Sequence, residues 1–289
     1  AAKTYWFKSA PGHEGIHGLH TGVFLNGKSQ AFVGSACTLE ILNEKGQLVK
    51  RLPVFWGTGA VFAIIDGPNG SLNLLIGRSI TDGPQLAIIN NRTLDPNPRG
   101  FNSILPDHTY IGGWANMNRW HLFYEDLDGD GQKEVVSEIN GSWNRVTIWN
   151  AQGQALHNAQ FGPGDSIPAK NIRDLDVADL NGDGRKEILV ATAGGMVVAL
   201  DCQCRNIWSK RLASPPKVVK SVALQNGKTQ RVVVGCENGV VAVLDEQGDL
   251  IRLANVSGQP TCIETFSTQA AGPIMLFATD RGEVKGFMV

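Results

Sequence analysis

Ile188-Leu189-Val190-Ala191 is a short apolar run that ends in a small residue, and five other segments follow its plan. They are Ala31-Phe32-Val33-Gly34, Leu74-Leu75-Ile76-Gly77, Val135-Val136-Ser137-Glu138, Val232-Val233-Val234-Gly235 and Met275-Leu276-Phe277-Ala278. The final residues of the six, Gly34, Gly77, Glu138, Ala191, Gly235 and Ala278, stand 43, 61, 53, 44 and 43 positions apart. Around each run the chain reads as an apolar strand, a polar turn, the quoted strand, a tight turn, and a third and fourth strand.

The later strands repeat as well. Ile41-Leu42-Asn43-Glu44-Lys45-Gly46, Ile148-Trp149-Asn150-Ala151-Gln152-Gly153 and Val243-Leu244-Asp245-Glu246-Gln247-Gly248 each place Asn or Asp at the end of a strand and Gly three residues on, as a tight hairpin requires. Four strands recurring every ~40–50 residues is the spacing of a β-propeller blade. A β-sandwich shares the short strands and turns but has no reason to repeat one phrase six times. The expected fold is therefore all-β: a six-bladed propeller of four-stranded antiparallel blades, forming one domain over residues 1–289. Thr4-Tyr5-Trp6-Phe7-Lys8-Ser9-Ala10 is similar to the fourth-strand segment Asn206-Ile207-Trp208-Ser209-Lys210-Arg211-Leu212. The sixth repeat stops after its third strand, so this N-terminal strand is expected to complete it and close the ring.

Composition agrees. The chain has 34 Gly and 13 Pro, which suits many tight turns, and no long 3.6-residue apolar period, so almost no helix is expected. A formal charge of -1 with no block of like charge gives no reason to expect a nucleic-acid partner. The longest apolar runs are strand-length, so no membrane insertion is expected. The start at Ala1-Ala2 is compatible with a processed end. The five cysteines, Cys37, Cys202, Cys204, Cys236 and Cys262, follow no metal or disulfide spacing. Cys236 and Cys262 fall at one end of adjacent repeats, where a pair or two thiols both fit.

Two turns carry a sharper signal. Asp126-Leu127-Asp128-Gly129-Asp130-Gly131-Gln132-Lys133-Glu134 and Asp179-Leu180-Asn181-Gly182-Asp183-Gly184-Arg185-Lys186-Glu187 place oxygen donors at positions 1, 3, 5 and 9. Gln132 and Arg185, at position 7, offer a main-chain carbonyl. Gly at position 6 allows the sharp bend. Calcium takes six to eight hard oxygens at about 2.3–2.6 Å, and this spacing wraps them about one point. Clustered carboxylates without a cation would repel, and here the pattern occurs twice in register. Two structural calcium ions are the expected cofactors. These loops are not EF-hands: position 12 is Ser137 or Val190, and strands flank them.

With this loop inside this repeat, the chain resembles the FG-GAP/VCBS propellers, the type found in integrin α-chains and many secreted bacterial proteins. The resemblance implies a secreted, periplasmic or cell-surface protein. Only the two quoted loops match the calcium motif well; Asn26-Gly27-Lys28 and Asn226-Gly227-Lys228 read as tight hairpin turns without enough carboxylates, Asp66-Gly67-Pro68-Asn69 matches in part, and Gln269-Ala270-Ala271-Gly272 has none. Val197-Val198-Ala199-Leu200-Asp201 with Trp208 also resembles quinoprotein-type repeats, without any sign of a quinone.

The expected recognition end carries the long links between blades, Pro11 to Thr21 and Arg99 to Trp120. His13, His17, His20, His108, Tyr110, Trp114, Arg119 and Trp120 lie there and are the candidate ligand-binding residues. Exposed Trp and Tyr stack on sugars or anchor proteins, and Arg pairs with carboxylates or sulfates. The turn from Asn140 to Asn144 and Glu138, which stands where other repeats have a small residue, belong to the same end. His13-Glu14-Gly15-Ile16-His17 reads literally as a zinc-protease signature, but that chemistry needs a helix, and glycines interrupt it here. The leading expectation is a binding module for a glycan or a protein, acting as a monomer or as part of a larger chain. A polysaccharide lyase acting on an acidic glycan, with His108 or Tyr110 as base and Arg119 or His108 neutralising the carboxylate, is the enzyme alternative. A structural spacer in a larger extracellular protein is the third.

Overall fold

In the computed structural model, residues 16–35, 38–53, 58–78, 86–94, 99–111, 119–140, 144–162, 171–224, 229–268 and 272–288 are described. Their strands form six antiparallel sheets in chain order. The first contains β1 (Gly18–Val23), β2 (Ser29–Gly34), β3 (Thr38–Asn43) and β4 (Leu48–Pro53); the second, β5 (Thr58–Asp66), β6 (Leu72–Arg78), β7 (Leu86–Asn90) and β8 (Arg99–Gly100). The third contains β9 (Leu122–Glu125), β10 (Glu134–Ile139), β11 (Arg145–Asn150) and β12 (Ala155–Gln160). The fourth contains β13 (Ile172–Ala178), β14 (Glu187–Thr192), β15 (Met196–Leu200) and β16 (Asn206–Arg211); the fifth, β17 (Pro216–Ala223), β18 (Gln230–Cys236), β19 (Val240–Leu244) and β20 (Leu250–Asn255). The sixth has three described strands, β21 (Pro260–Thr268), β22 (Gly272–Thr279) and β23 (Val284–Met288). The segment Thr4 to Ala10, expected to complete it, lies outside the described residues. Among the described residues the only helical element is a 3-10 turn at Pro68–Gly70, and none is long and apolar enough to cross a membrane.

Each of the six apolar runs is the second strand of its sheet. These strands are covered on both faces, which is why they read as continuous rather than alternating apolar sequence. Every residue of β14 is buried. Burying one such Val, Leu or Ile contributes about 1.5–3 kcal/mol. The small terminal residue also has a cause. A Cβ on Gly235 would stand 2.6 Å from the Pro260 ring and 2.9 Å from Val218, and one on Gly77 would stand 2.4 Å from Val61.

The chain forms two compact units. One comprises residues 1–125 and 133–158, with the first three sheets; the other comprises residues 126–132 and 159–289, with the last three. In the first unit, Phe24, Phe32, Ile41, Leu74 and Ile76 pack between the first and second sheets, and Ile65, Leu75, Phe101, Val135 and Trp149 between the second and third. In the second unit, Leu189, Ala199, Val232 and Leu244 pack between the fourth and fifth sheets, and Val233, Val243, Met275 and Phe277 between the fifth and sixth. Within each unit the first strands of consecutive sheets are neighbours: β1 beside β5 beside β9, and β13 beside β17 beside β21.

The hairpins joining third and fourth strands share one local design. Asn43 Oδ1 accepts hydrogen bonds from the amides of Lys45 and Gln47, at 3.0 and 2.9 Å. Asn150, Asp201 and Asp245 repeat the arrangement toward Gln152 and Gln154, Gln203 and Arg205, and Gln247 and Asp249. The fourth turn residue has positive φ: 73° at Gly46, 82° at Gly153, 83° at Gly248, and 59° at Cys204, a cysteine in the place of glycine.

Candidate functional site

The two acid-rich loops adopt matching conformations. Position 4 has φ of 80° at Gly129 and 77° at Gly182; position 6 has 86° at Gly131 and 87° at Gly184. Only glycine enters this region without a steric cost, so the glycines shape the loop. In the first loop Asp126 accepts from the amides of Gly129 (2.8 Å) and Gly131 (2.9 Å), Asp128 from Asp130 (3.2 Å), and Asp130 from Gln132 (2.7 Å). In the second, Asp179 accepts from Gly182 (2.7 Å) and Gly184 (2.9 Å), Asn181 from Asp183 (2.8 Å), and Asp183 from Arg185 (2.8 Å). Each first-position Asp thus folds the loop over itself and leaves carboxylate lone pairs for another partner.

Ligand oxygens of Asp126, Asp128 and Asp130 all lie within 4.8 Å of one another. That separation suits oxygens arranged about one ion at 2.3–2.6 Å. The donor set is hard oxygen throughout and fits calcium. Glu134 opens β10 and pairs with Glu125 of β9. Glu187 is buried, and its Oε2 accepts the Leu180 amide at 2.8 Å. Burial, with Asp183 and Asp179 adding to it, pushes this carboxyl up to about 7.

The second candidate region is the segment that precedes β9. Ile104 and Tyr110 form an isolated antiparallel bridge, closing a tight loop through Asp107 and His108. His108 has φ of 68° and an exposed side chain at the tip; the Thr109 amide donates to Asp107 and, with its side chain, holds the Asp107 carboxyl below the ordinary carboxylate range. Tyr110 is 56% exposed and Trp120 53%. Their main chains are held from beneath. Arg145 Nη1 donates to the Tyr110 carbonyl at 3.3 Å. Glu138, fully buried, accepts the amides of Trp120 (2.8 Å) and His121 (3.1 Å) and lies 3.0 Å from His121 Nδ1. Glu138 on β10 and Arg145 on β11 stand at the same end of these two paired strands, so the described part of the segment gathers at that end of the third sheet.

Arg119 departs from the expectation of a surface cation. It is buried, its guanidinium lies 5.1 Å over the Trp149 ring, and its Nη1 donates to the Glu138 carbonyl at 3.1 Å. Burial lowers it to about 10, against the opposing pull of Glu138. It holds the segment to the sheet and is not presented to a ligand. His13 and Trp114 lie outside the described residues. His17 donates its amide to the Gly34 carbonyl at 2.8 Å and leads into β1. His20, on β1, stands 6.3 Å from the Phe32 ring, and burial lowers its pKa. Cys236 and Cys262 are free thiols and do not form the disulfide their spacing allowed.

Two features escape a reading of the sequence, and one is partly legible there. Arg145 has no local signal, since its role depends on a residue 35 positions away. Glu138 has one, the break in the small-residue pattern. Asp174 and Asp176 sit on β13, and their carboxylates accept the Val219 and Ser221 amides of β17, both at 2.7 Å; Lys220 Nζ reaches Asp176 at 2.8 Å. Their signal is an Asp-x-Asp inside an otherwise apolar strand.

Residues 109–190, which include both acid-rich loops, match an FG-GAP-like repeat, and residues 166–259 match the lambda-carrageenase beta-propeller domain. No curated protein matches the chain. Among solved structures it is similar to Saccharomyces cerevisiae Sqt1 at 13% identity and a TM-score of 0.69, over 95% of this chain and 72% of that one. It is similar to BBS1N, crystallised in complex with ARL6DN and soaked with mercury, at 12% identity and a TM-score of 0.63, over 96% and 80%. The Dos1 propeller gives 12% identity and 0.61, over 95% and 67%. Such identities speak to fold alone, and six sheets of this kind fit six blades. The chain is a β-propeller protein in which residues 109–190 match an FG-GAP-like repeat.

Proposed function

We propose that the chain is a secreted or cell-surface propeller that binds a glycan through Tyr110, Trp120 and the loop bearing His108, with a structural calcium ion in each acid-rich loop. One observation carries the binding reading. Two aromatic side chains are more than half exposed while their main chains are fixed by the buried groups of Arg145 and Glu138. An aromatic held this way loses little further freedom on stacking against a sugar, which is what makes a preformed site tight. The likeness to a lambda-carrageenase propeller domain favours a polysaccharide. A protein ligand is the second reading, supported by the BBS1N complex with ARL6DN. The lyase reading loses one of its two candidates for neutralising a substrate carboxylate, since Arg119 is buried and only His108 stays exposed.

For the ions, Asp126, Asp128 and Asp130 would supply one set of hard oxygens, and Asp179, Asn181 and Asp183 the other. Calcium would cancel the repulsion among carboxylates that the loop folds together. Extracellular calcium, ~millimolar, suffices for sites of the weak extracellular class.

Affinity electrophoresis through gels containing λ-carrageenan, an unsulfated galactan or a uronate polymer tests the binding reading. Retardation by at least one, lost in Trp120→Ala and Tyr110→Ala, is the expected result. Mobility unchanged by every polysaccharide overturns it. An unsaturated, ultraviolet-absorbing product would restore the lyase.

A further inference from the structure

We infer that the two acid-rich loops bind calcium as a coupled pair, each strengthening the other through a main-chain hydrogen bond between them. This rests on the calcium reading above. The Lys186 amide of the second loop donates to the Leu127 carbonyl of the first at 2.8 Å. Leu127 stands between two candidate ligands, Asp126 and Asp128. Lys186 stands between two more positions of the second motif, Arg185 and Glu187. The connection continues: Glu187 Oε2 accepts the amide of Leu180, which lies between Asp179 and Asn181.

The contact leaves little slack. Leu127 and Leu180, at position 2 of their loops, are each 1% exposed, so neither can shift without disturbing packed apolar neighbours. A Cβ on Gly129 would come within 3.2 Å of the Gly184 carbonyl oxygen, which places the two bends against one another. An ion that fixes the Asp126 and Asp128 side chains also fixes the peptide between them, and with it the hydrogen bond that orients Lys186. The second ion then meets a loop that has already lost part of its freedom. Ordering shared in this way gives positive coupling, and linkage makes the effect reciprocal.

Calorimetric titration of metal-free protein with calcium tests this on the wild type, on Asp126→Asn/Asp130→Asn, and on Asp179→Asn/Asp183→Asn. The wild type is expected to take up two ions. Disabling either loop is expected to weaken the other about fivefold or more, by the same factor in both directions. Hydrogen exchange at the Lys186 amide supplies a local readout in the variant whose second loop is disabled: calcium should slow it through the first loop alone. Remaining-site affinities within about twofold of wild type, or a Lys186 amide indifferent to calcium, overturn the coupling and leave the calcium reading standing. A wild type that takes up no calcium overturns both. Each substitution keeps the side-chain shape and one acceptor oxygen, so Asp126→Asn and Asp179→Asn each give up at least one loop hydrogen bond, and a circular-dichroism melt of each variant confirms that it is folded before titration.

Discussion

The indole of Trp208 lies against Gly248, where a Cβ would fall 2.7 Å from the ring, and its Nε1 donates to the Glu246 carbonyl at 2.9 Å. Thus an aromatic on the fourth strand of one sheet is seated on the hairpin of the next. Phe101 repeats the arrangement on Gly153, whose Cβ would fall 2.8 Å from that ring. Gly248 therefore serves two purposes, a left-handed turn and a flat seat. Gly248→Ala should cost about 1–2 kcal/mol for the backbone and about 1–3 more for the clash. Gly282, with φ of 74° and nothing near its missing Cβ, is the control. Gly282→Ala should show only the backbone part. Denaturant unfolding of the two variants separates the contributions, and equal losses would refute the seat.

Tyr124 on β9 donates to Asp66 Oδ2 at 2.9 Å, joining the first strands of two sheets. Burial, then the hydrogen bond to Asp66, pushes its phenol up to about 12. The folded state prefers the protonated phenol. The resulting stabilisation is whole below the ordinary tyrosine pKa of about 10 and is lost as the pH rises through about 12. Ultraviolet titration should show a phenolate transition near pH 12 that Tyr124→Phe removes.

Asp176 is buried and accepts three hydrogen bonds, from Ser221 N (2.7 Å), Ser221 Oγ (2.6 Å) and Lys220 Nζ (2.8 Å). Asp176→Ala leaves a main-chain amide and a hydroxyl without their acceptor inside the second unit. The expected loss is about 2–4 kcal/mol. Asp176→Asn, which keeps one acceptor oxygen, should lose less. Chemical denaturation ranks the two, and a reversed order would show that the Asn N–H2 set against these donors costs more than its one acceptor oxygen returns.

Chelation offers a fourth test. At calcium about a hundredfold above its dissociation constant, each filled site adds about 2.7 kcal/mol to stability. A chelator should therefore lower the melting temperature of the wild type by several degrees. Asp126→Asn/Asp130→Asn and Asp179→Asn/Asp183→Asn should each show a smaller drop. An unchanged melting temperature in the wild type would count against calcium in both loops.

Trp120→Ala should leave stability within about 1 kcal/mol of wild type, because the side chain is mostly in solvent and its amide keeps its bond to Glu138. Glu138→Ala should be costly, because it strands the Trp120 and His121 amides together. The contrast between the two melts distinguishes a presented aromatic from one that packs the segment down.

The repeat was legible because its signal is local and physical. Second strands such as Ile188 to Ala191 are buried on both sides, so they stand out as unbroken apolar runs, and Gly77 and Gly235 are small because a neighbour stands where their Cβ would be. The acid-rich loops were legible for the same reason, since nine consecutive residues carry all their donors. The aromatic region was only partly so. Its exposed members, Tyr110 and Trp120, announce themselves by type, but what holds them comes from Arg145 and Glu138 on other strands. Arg119 shows the limit most clearly: a charged residue in a long link reads as a surface group until Trp149 and the Glu138 carbonyl are seen to enclose it.

The bond from Lys186 to the Leu127 carbonyl recurs one repeat later, where the Gln230 amide donates to the Leu180 carbonyl at 2.9 Å. There the donating side follows the sequence Gln225-Asn226-Gly227-Lys228, which has no carboxylate at all. The peptide seam forms whether or not the donating repeat carries acids. Evolution could therefore strip the acids from one module, or restore them by point mutation, without unpicking its neighbours. Acid-bearing and acid-free versions of the same part accordingly stand side by side in a single chain.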